Sequence, residues 1–375
     1  MQREFNIAEK EFRLQVTAFF ADLEIAAGTA EPLTAWKDAV IEQGWSVPAW
    51  PRDAGGPGWS AAQVFIWQQA CAAHGIDVEA DPGVWIVGPL LFDEATESQR
   101  QRFLPAIREL RARWCIGFAE PDADTELAHL ATTAQLANGQ YVIAGTKTWV
   151  VDGTAADWMC ALVRLGPGAD DFALFAVAMD SPGLQTKSIK TLDGGLTMAE
   201  VSLADVSVPL ENLLAGPANG QSLAQLICVS DYAVLSRSAL ARAQLDALEV
   251  SLAALDPEDG VHIKHSEIAV ALSGLEALEL RFLDARSRGE EPPFPLAMLR
   301  MKSREILLQL GALQMECFGY YALPYPDESL LHNEGPIGPG DAVATVRRTL
   351  VQQVAVIYEG NAALLKDEIA RHLGY

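Results

Sequence analysis

Cysteine is scarce and unpatterned in this chain of 375 residues. Cys71, Cys115, Cys160, Cys228 and Cys317 form no Cys-x-x-Cys pair, and none has a histidine at metal-ligand spacing. That excludes a disulfide framework or a cysteine-based metal centre and leaves buried free thiols in a reducing compartment as the expectation. Basic residues are also few: 27 Lys and Arg stand against 50 Asp and Glu, a net charge of −23. Such a surface repels phosphate, so nucleic acid and anionic membranes are excluded as general partners. Any site for an anionic ligand has to be a local exception. Long apolar runs are missing too, since no stretch approaches the roughly 20 residues of a membrane span. The opening MQREFNIAEKEFRL alternates charge with apolar residues and has no signal-peptide core. A soluble, cytoplasmic protein is expected. Internal repeats and low-complexity tracts are absent from the sequence.

What is present falls into three zones. From about residue 5 to 110 the apolar spacing is helical, as in Phe12, Leu14, Val16, Phe19, Phe20 and Leu23. A turn-rich segment, Val47 to Gly58, interrupts it, and a helix over 61–73 follows. Between about 114 and 215 β-branched and aromatic residues cluster at 141–150, 158–163 and 172–179. Asn138-Gly139, Asp152-Gly153 and Ser181-Pro182-Gly183 supply turns. From Ser222 the helical period returns in four long runs, about 222–255, 264–289, 296–320 and 341–372. Four prolines between Leu323 and Asp341 impose a long irregular loop, of the kind that tends to carry function. The expectation is an α+β chain with an N-terminal helical domain (1–113), a central antiparallel β domain (114–216) and a C-terminal four-helix bundle (217–375).

Three segments invite a chemical reading beside a bland one. Phe118-Ala-Glu-Pro121 reads as a surface turn at the start of the β zone. Lys147-Thr-Trp149 reads as a strand with one tryptophan, which either packs in a core or offers a flat wall to a planar ring. At Tyr358-Glu-Gly-Asn361 a carboxylate interrupts an apolar helical run. Glu359 in such a setting must be solvated, paired or functional. Burial among apolar groups raises a carboxyl's pKa, which suits a general base acting on a carbon acid. The adjacent Gly360 permits close backbone approach.

Taken together, these segments resemble the acyl-CoA dehydrogenase family from end to end. Trp50-Pro-Arg-Asp-Ala-Gly-Gly-Pro-Gly58 is similar to the family's Pro-x-x-x-Gly-Gly-x-Gly turn. Ile116 to Glu126 resembles its Thr-Glu-Pro-Gly-Ala-Gly-Ser-Asp signature, and Gly145 to Asp152 its Gly-x-Lys-x-Trp-Ile-Thr-Asn strand. Val201 to Asn212 resembles the strand leading to the bundle, and Tyr358-Glu-Gly-Asn361 the Tyr-Glu-Gly-Thr that carries the catalytic carboxylate. The resemblance implies FAD-dependent α,β-dehydrogenation of an acyl-CoA, with electrons passed to an electron-transfer flavoprotein. It makes Glu359 the base, with Asp231 as the fallback, because some relatives carry the base on that helix. It assigns Phe118, Ala119, Glu120, Thr125, Trp149, Val151, Gln314 and Asn361 to FAD, and Thr125 and Gly360 to the substrate. It implies an oligomer, of like chains or with a second acyl-CoA dehydrogenase-like subunit.

The departures from the family pattern are specific. Ala119 and Val151 stand where the family has threonines, and Asp122-Ala-Asp124 replaces Gly-Ala-Gly. The Arg-x-x-Phe-Gly segment that clasps a neighbouring subunit's FAD is replaced by Asp256-Pro-Glu-Asp-Gly260. The family's Gln-x-x-Gly-Gly survives in part as Gln314 to Gly319. The loop Leu330 to Gly338 resembles a bacterial subgroup acting on bulky acyl-CoAs, steroid side chains among them, some members of which pair two unlike subunits with one FAD shared by each pair. Two other readings stay open: a non-catalytic partner subunit without its own FAD, and a flavin monooxygenase on the same fold.

Overall fold

The computed structural model describes residues 5–26, 32–77, 81–121, 129–168, 171–192, 197–217, 237–255, 259–288, 290–323, 339, 342–358 and 362–374. Five helices come first: α1 (Ile7–Ala26), α2 (Pro32–Gln43), α3 (Ala61–Ala73), α4 (Gly88–Glu94) and α5 (Glu97–Arg108). Helix α3 spans the residues its periodicity predicts, and Ser60 shows why it starts there. The Ser60 hydroxyl accepts from the Gln63 N–H at 3.3 Å, and the Gln63 side chain accepts from the Ser60 N–H at 2.9 Å. Thr96 and Gln99 cap α5 in the same reciprocal way. A five-residue π-helical turn, Gly83–Val87, runs directly into α4.

The middle of the chain is one eight-stranded sheet: β1 (Trp114–Gly117), β2 (Thr133–Ala137), β3 (Gln140–Val151), β4 (Trp158–Arg164), β5 (Phe172–Ala178), β6 (Leu184–Ile189), β7 (Met198–Pro209) and β8 (Leu213–Ala215). Its order is β6-β7-β3-β2-β4-β5-β8, with β1 beside β4. Most pairs are antiparallel as expected, but β1 and β2 both meet β4 in parallel. Local alternation does not encode that pairing, because strand direction is set by chain segments far apart in sequence.

The apolar runs of β4 and β5 are buried on both faces. Cys160, Leu162, Phe172, Leu174 and Ala176 face the N-terminal helices, packing with Trp50, Leu90, Leu91 and Phe103. Their neighbours Met159, Ala161, Val163, Ala173, Phe175 and Val177 join the inner core with Ile143, Val150 and Val201. The sheet is thus fixed against the helices by a period of two.

The remaining helices are α6 (Ser238–Leu255), α7 (Asp259–Ser287), α8 (Leu296–Phe318), α9 (Thr345–Tyr358) and α10 (Ala362–His372). Leu245, Leu248, Leu272, Leu275, Ile306 and Leu310 form the common core of α6, α7 and α8. Of the run expected at about 341–372, the described parts are helical on both sides of 359–361, and of the run expected at about 222–255, α6 covers Ser238–Leu255; residues 218–236 and 359–361 lie outside the described ones. Helix α3 packs against α6 and α7, and α9 approaches β3. Among the described residues no helix is long and apolar enough to cross a membrane. Cys71, Cys115 and Cys160 are buried free thiols and Cys317 is a half-buried one. Burial pushes the Cys115 and Cys160 thiols up to about 12.

Candidate functional site

The turn Phe118–Pro121 leaves the end of β1 and lies against the C-terminal half of β3. Three links hold it. The Thr148 N–H donates to the Ala119 carbonyl at 2.9 Å. The Lys147 ammonium reaches the Phe118 carbonyl at 3.4 Å and the Glu120 carboxylate at 2.6 Å. Glu120 also accepts from the Ala131 N–H at 2.6 Å and the Thr132 N–H at 3.1 Å. Glu120 and Lys147 are both almost fully buried, Lys147 at 0% exposure. Burial opposes ionisation of Glu120, but the Lys147 charge and the hydrogen bonds outweigh it and hold the carboxyl below its usual range. Burial pulls the Lys147 ammonium down to about 8, against the attraction of Glu120. The pair is therefore charged at neutral pH.

Two residues on, β3 departs from regular strand. Its register with β7 shifts between Lys147 and Val150, and Trp149 takes a left-handed conformation at φ 54°. A large aromatic residue rarely adopts positive φ, and a bulge re-aims the side chain it carries. Here Trp149 stays 38% exposed while Val150 beside it is fully buried. Val151 is half-buried and closes the strand.

The hydrogen-bonding inventory of this corner is lopsided. The acceptors of Phe118, Ala119 and Glu120 are engaged by Lys147, Thr148, Ala131 and Thr132. Among the described residues the amide N–H groups of Ala119 and Glu120 donate no bond outside the strand ladders. A set of free backbone donors beside an exposed indole face fits a planar ring with acceptors along one edge. Among flat cofactors, an isoalloxazine has that pattern.

The structure brings together Phe118, Ala119, Glu120, Trp149 and Val151, but not every residue the sequence singled out. Gln314 is buried on α8 within the bundle, and its side-chain oxygen has no partner among the described residues. Thr125, Glu359, Gly360 and Asn361, and the alternative base Asp231, lie outside the described residues. Sequence reasoning missed Lys147 as the partner of Glu120. Strand alternation gave no signal for it, because Lys147 and Thr148 are both buried and Glu120 lies 27 residues away.

Comparison with known proteins bears on the family and the fold. Residues 8–110 match the acyl-CoA dehydrogenase N-terminal domain, and residues 115–206 the acyl-CoA dehydrogenase middle domain. Acyl-CoA dehydrogenase IpdE1 of Mycobacterium tuberculosis is 31% identical over 233 residues, 57% of this chain and 60% of the relative, so the match spans less than two thirds of that relative's length. Acyl-CoA dehydrogenase FadE29 of the same organism is 28% identical over 288 residues, 73% of each chain. In fold, the ChsE4-ChsE5 complex from Mycobacterium tuberculosis superposes with a TM-score of 0.81 at 21% identity, covering 100% of this chain and 99% of the other. The two matched domains and the shared architecture place this chain in the acyl-CoA dehydrogenase family.

Proposed function

We propose that this chain oxidises the Cα–Cβ bond of an acyl-CoA thioester, with FAD held at the Phe118–Trp149 corner. The observation that carries the reading is the left-handed, exposed Trp149 beside the uncommitted amides of Ala119 and Glu120. Those amides suit the polar edge of the ring and the indole its face. In this reading FAD supplies the hydride acceptor. The chain's own residues orient the ring and hold a base. Glu359 is that base, taking the α-proton while backbone donors stabilise the enolate oxygen. Thr125 and Gly360 contact the substrate, and Asn361 and Gln314 complete the FAD site. Electrons pass on to an electron-transfer flavoprotein.

Ala119 and Val151 favour a second reading, because neither offers a hydroxyl to the ring. The chain is then a partner subunit of a heteromeric enzyme, without its own FAD. The visible spectrum separates the two. On the first reading, protein purified alone and mixed with excess FAD retains a yellow chromophore after gel filtration. A colourless product sinks it.

The same reading requires more than one chain. Ile263 and Val270 stand one above the other on α7 at 60% and 75% exposure, an i, i+7 apolar pair on its outer face. An assembly of two or more subunits is expected at micromolar concentration. Sedimentation as a stable monomer rules it out.

A further inference from the structure

We infer that Glu120 and Lys147 are positioning residues, whose buried ion pair locks the Phe118–Pro121 turn and the Trp149 bulge into the one register that leaves the turn's amides free. The inference rests on the FAD reading for its purpose, but the locking itself is a property of this chain alone.

Four observations converge on it. The pair joins segments 27 residues apart, at 2.6 Å, with both side chains removed from water. Glu120 gathers the backbone N–H groups of Ala131 and Thr132 as well as the ammonium, so it anchors the turn from the far side. Lys147 carries its stem past Gly117, where an added Cβ would lie 3.4 Å from Lys147 Cγ and 2.4 Å from Met159 Sδ. The end of β1 thus lies in van der Waals contact with the lysine stem, and a side chain there would have to displace Met159. Finally, Lys147 and Thr148 bind the carbonyls of Phe118 and Ala119 in succession, which orients two consecutive peptide groups the same way relative to β3.

A buried pair is poor value as glue. Well-packed apolar residues of similar volume stabilise a core as well or better, whereas loss of one partner strands the other charge. What the pair adds over apolar packing is direction: it satisfies acceptors and leaves donors over. Neither side chain touches the reacting atoms in this reading, so both act through the backbone they hold.

The test compares wild type with Glu120→Gln, Lys147→Met and the double variant Glu120→Leu/Lys147→Met. Amide hydrogen exchange is followed by mass spectrometry in the absence of FAD, well below the melting temperature. In the single variants, exchange over 117–121 and 147–150 should quicken on the order of 10²-fold. Helices α7 and α8, whose core is separate from the sheet, should keep wild-type rates. The double variant should recover the melting temperature yet keep the fast local exchange. Glu120→Asp, which retains the charge on a shorter stem, is the milder variant to use if the others do not fold. Added FAD supplies the second readout: its Kd should rise by about tenfold in each variant. Unchanged local exchange overturns the inference. So does a uniform rise that includes α7 and α8, which would mark the pair as a general stabiliser. If wild type takes up no FAD, the flavin reading falls, and the exchange data still decide the positioning.

Discussion

Replacing Trp50 by alanine is expected to destabilise the protein by about 3–5 kcal/mol, read as a lowered urea midpoint in far-UV circular dichroism. Trp50 is 1% exposed and stands at the head of the Pro-Arg-Asp-Ala-Gly-Gly-Pro-Gly turn. Its indole N–H donates to the Val84 carbonyl at 2.8 Å, inside the π-helical turn that precedes α4. Its ring meets Phe92 edge-to-face at 5.0 Å. Gly88 is the complement of that ring, because a Cβ there would lie 2.1 Å from Trp50 Cζ2. Removing the indole opens a cavity and leaves a buried carbonyl without its donor, so two penalties add. Trp50→Phe keeps most of the packing and loses only the hydrogen bond, so its cost should be about 1–3 kcal/mol. Gly88→Ala should behave like overpacking, with the methyl forcing the indole aside, at about 1–3 kcal/mol. A Trp50→Ala midpoint equal to wild type would show that the turn is not tied to the sheet-facing core in the way described.

That turn shows how far local sequence reaches. Its glycines and prolines announce a break in the helices, and the break is there. Helix α3 was legible to the residue because a capping serine and a periodic apolar run agree with each other. The three-zone order of helices, sheet and helices was legible for the same reason, each zone having its own period. Direction and pairing were not. Parallel contact of β1 and β2 with β4 depends on segments about 30 to 45 residues apart, and the apolar runs of β4 and β5 look the same in either direction.

At the site, Trp149 was visible as an aromatic residue at a strand end, but its left-handed backbone was not, since no glycine or asparagine marks it. Glu120 was visible as a carboxylate before proline, and the structure adds that its side chain is committed to Lys147 and to two backbone amides. What it has left for a ligand is its own N–H. Gln314 matched a family segment by spacing, yet it lies on a bundle helix with its side-chain oxygen unpartnered among the described residues. A motif fixes the residue's place on a helix, not the chain that it serves.

The largest expected effect concerns Glu359. Glu359→Gln keeps size and hydrogen-bonding shape but removes the basic oxygen. Acyl-CoA should still bind, while reduction of the flavin slows by about 10²–10⁴-fold, the usual scale for loss of a general base. An α-proton of a thioester is weakly acidic, so the effect belongs at the upper end. The residue itself lies outside the described ones, but its chain neighbours frame it: α9 ends at Tyr358, α10 starts at Ala362, and α9 approaches β3, the strand of Trp149. The measurement is anaerobic bleaching of the flavin by an acyl-CoA that wild type turns over, in Glu359→Gln and Asp231→Asn side by side. Binding is followed separately, through the perturbation of the flavin spectrum by a non-reducible acyl-CoA analogue. Slow bleaching with intact binding in Glu359→Gln assigns the proton to that carboxylate. Normal bleaching there with loss in Asp231→Asn moves the base to Asp231, and normal bleaching in both removes the α-proton abstraction from either.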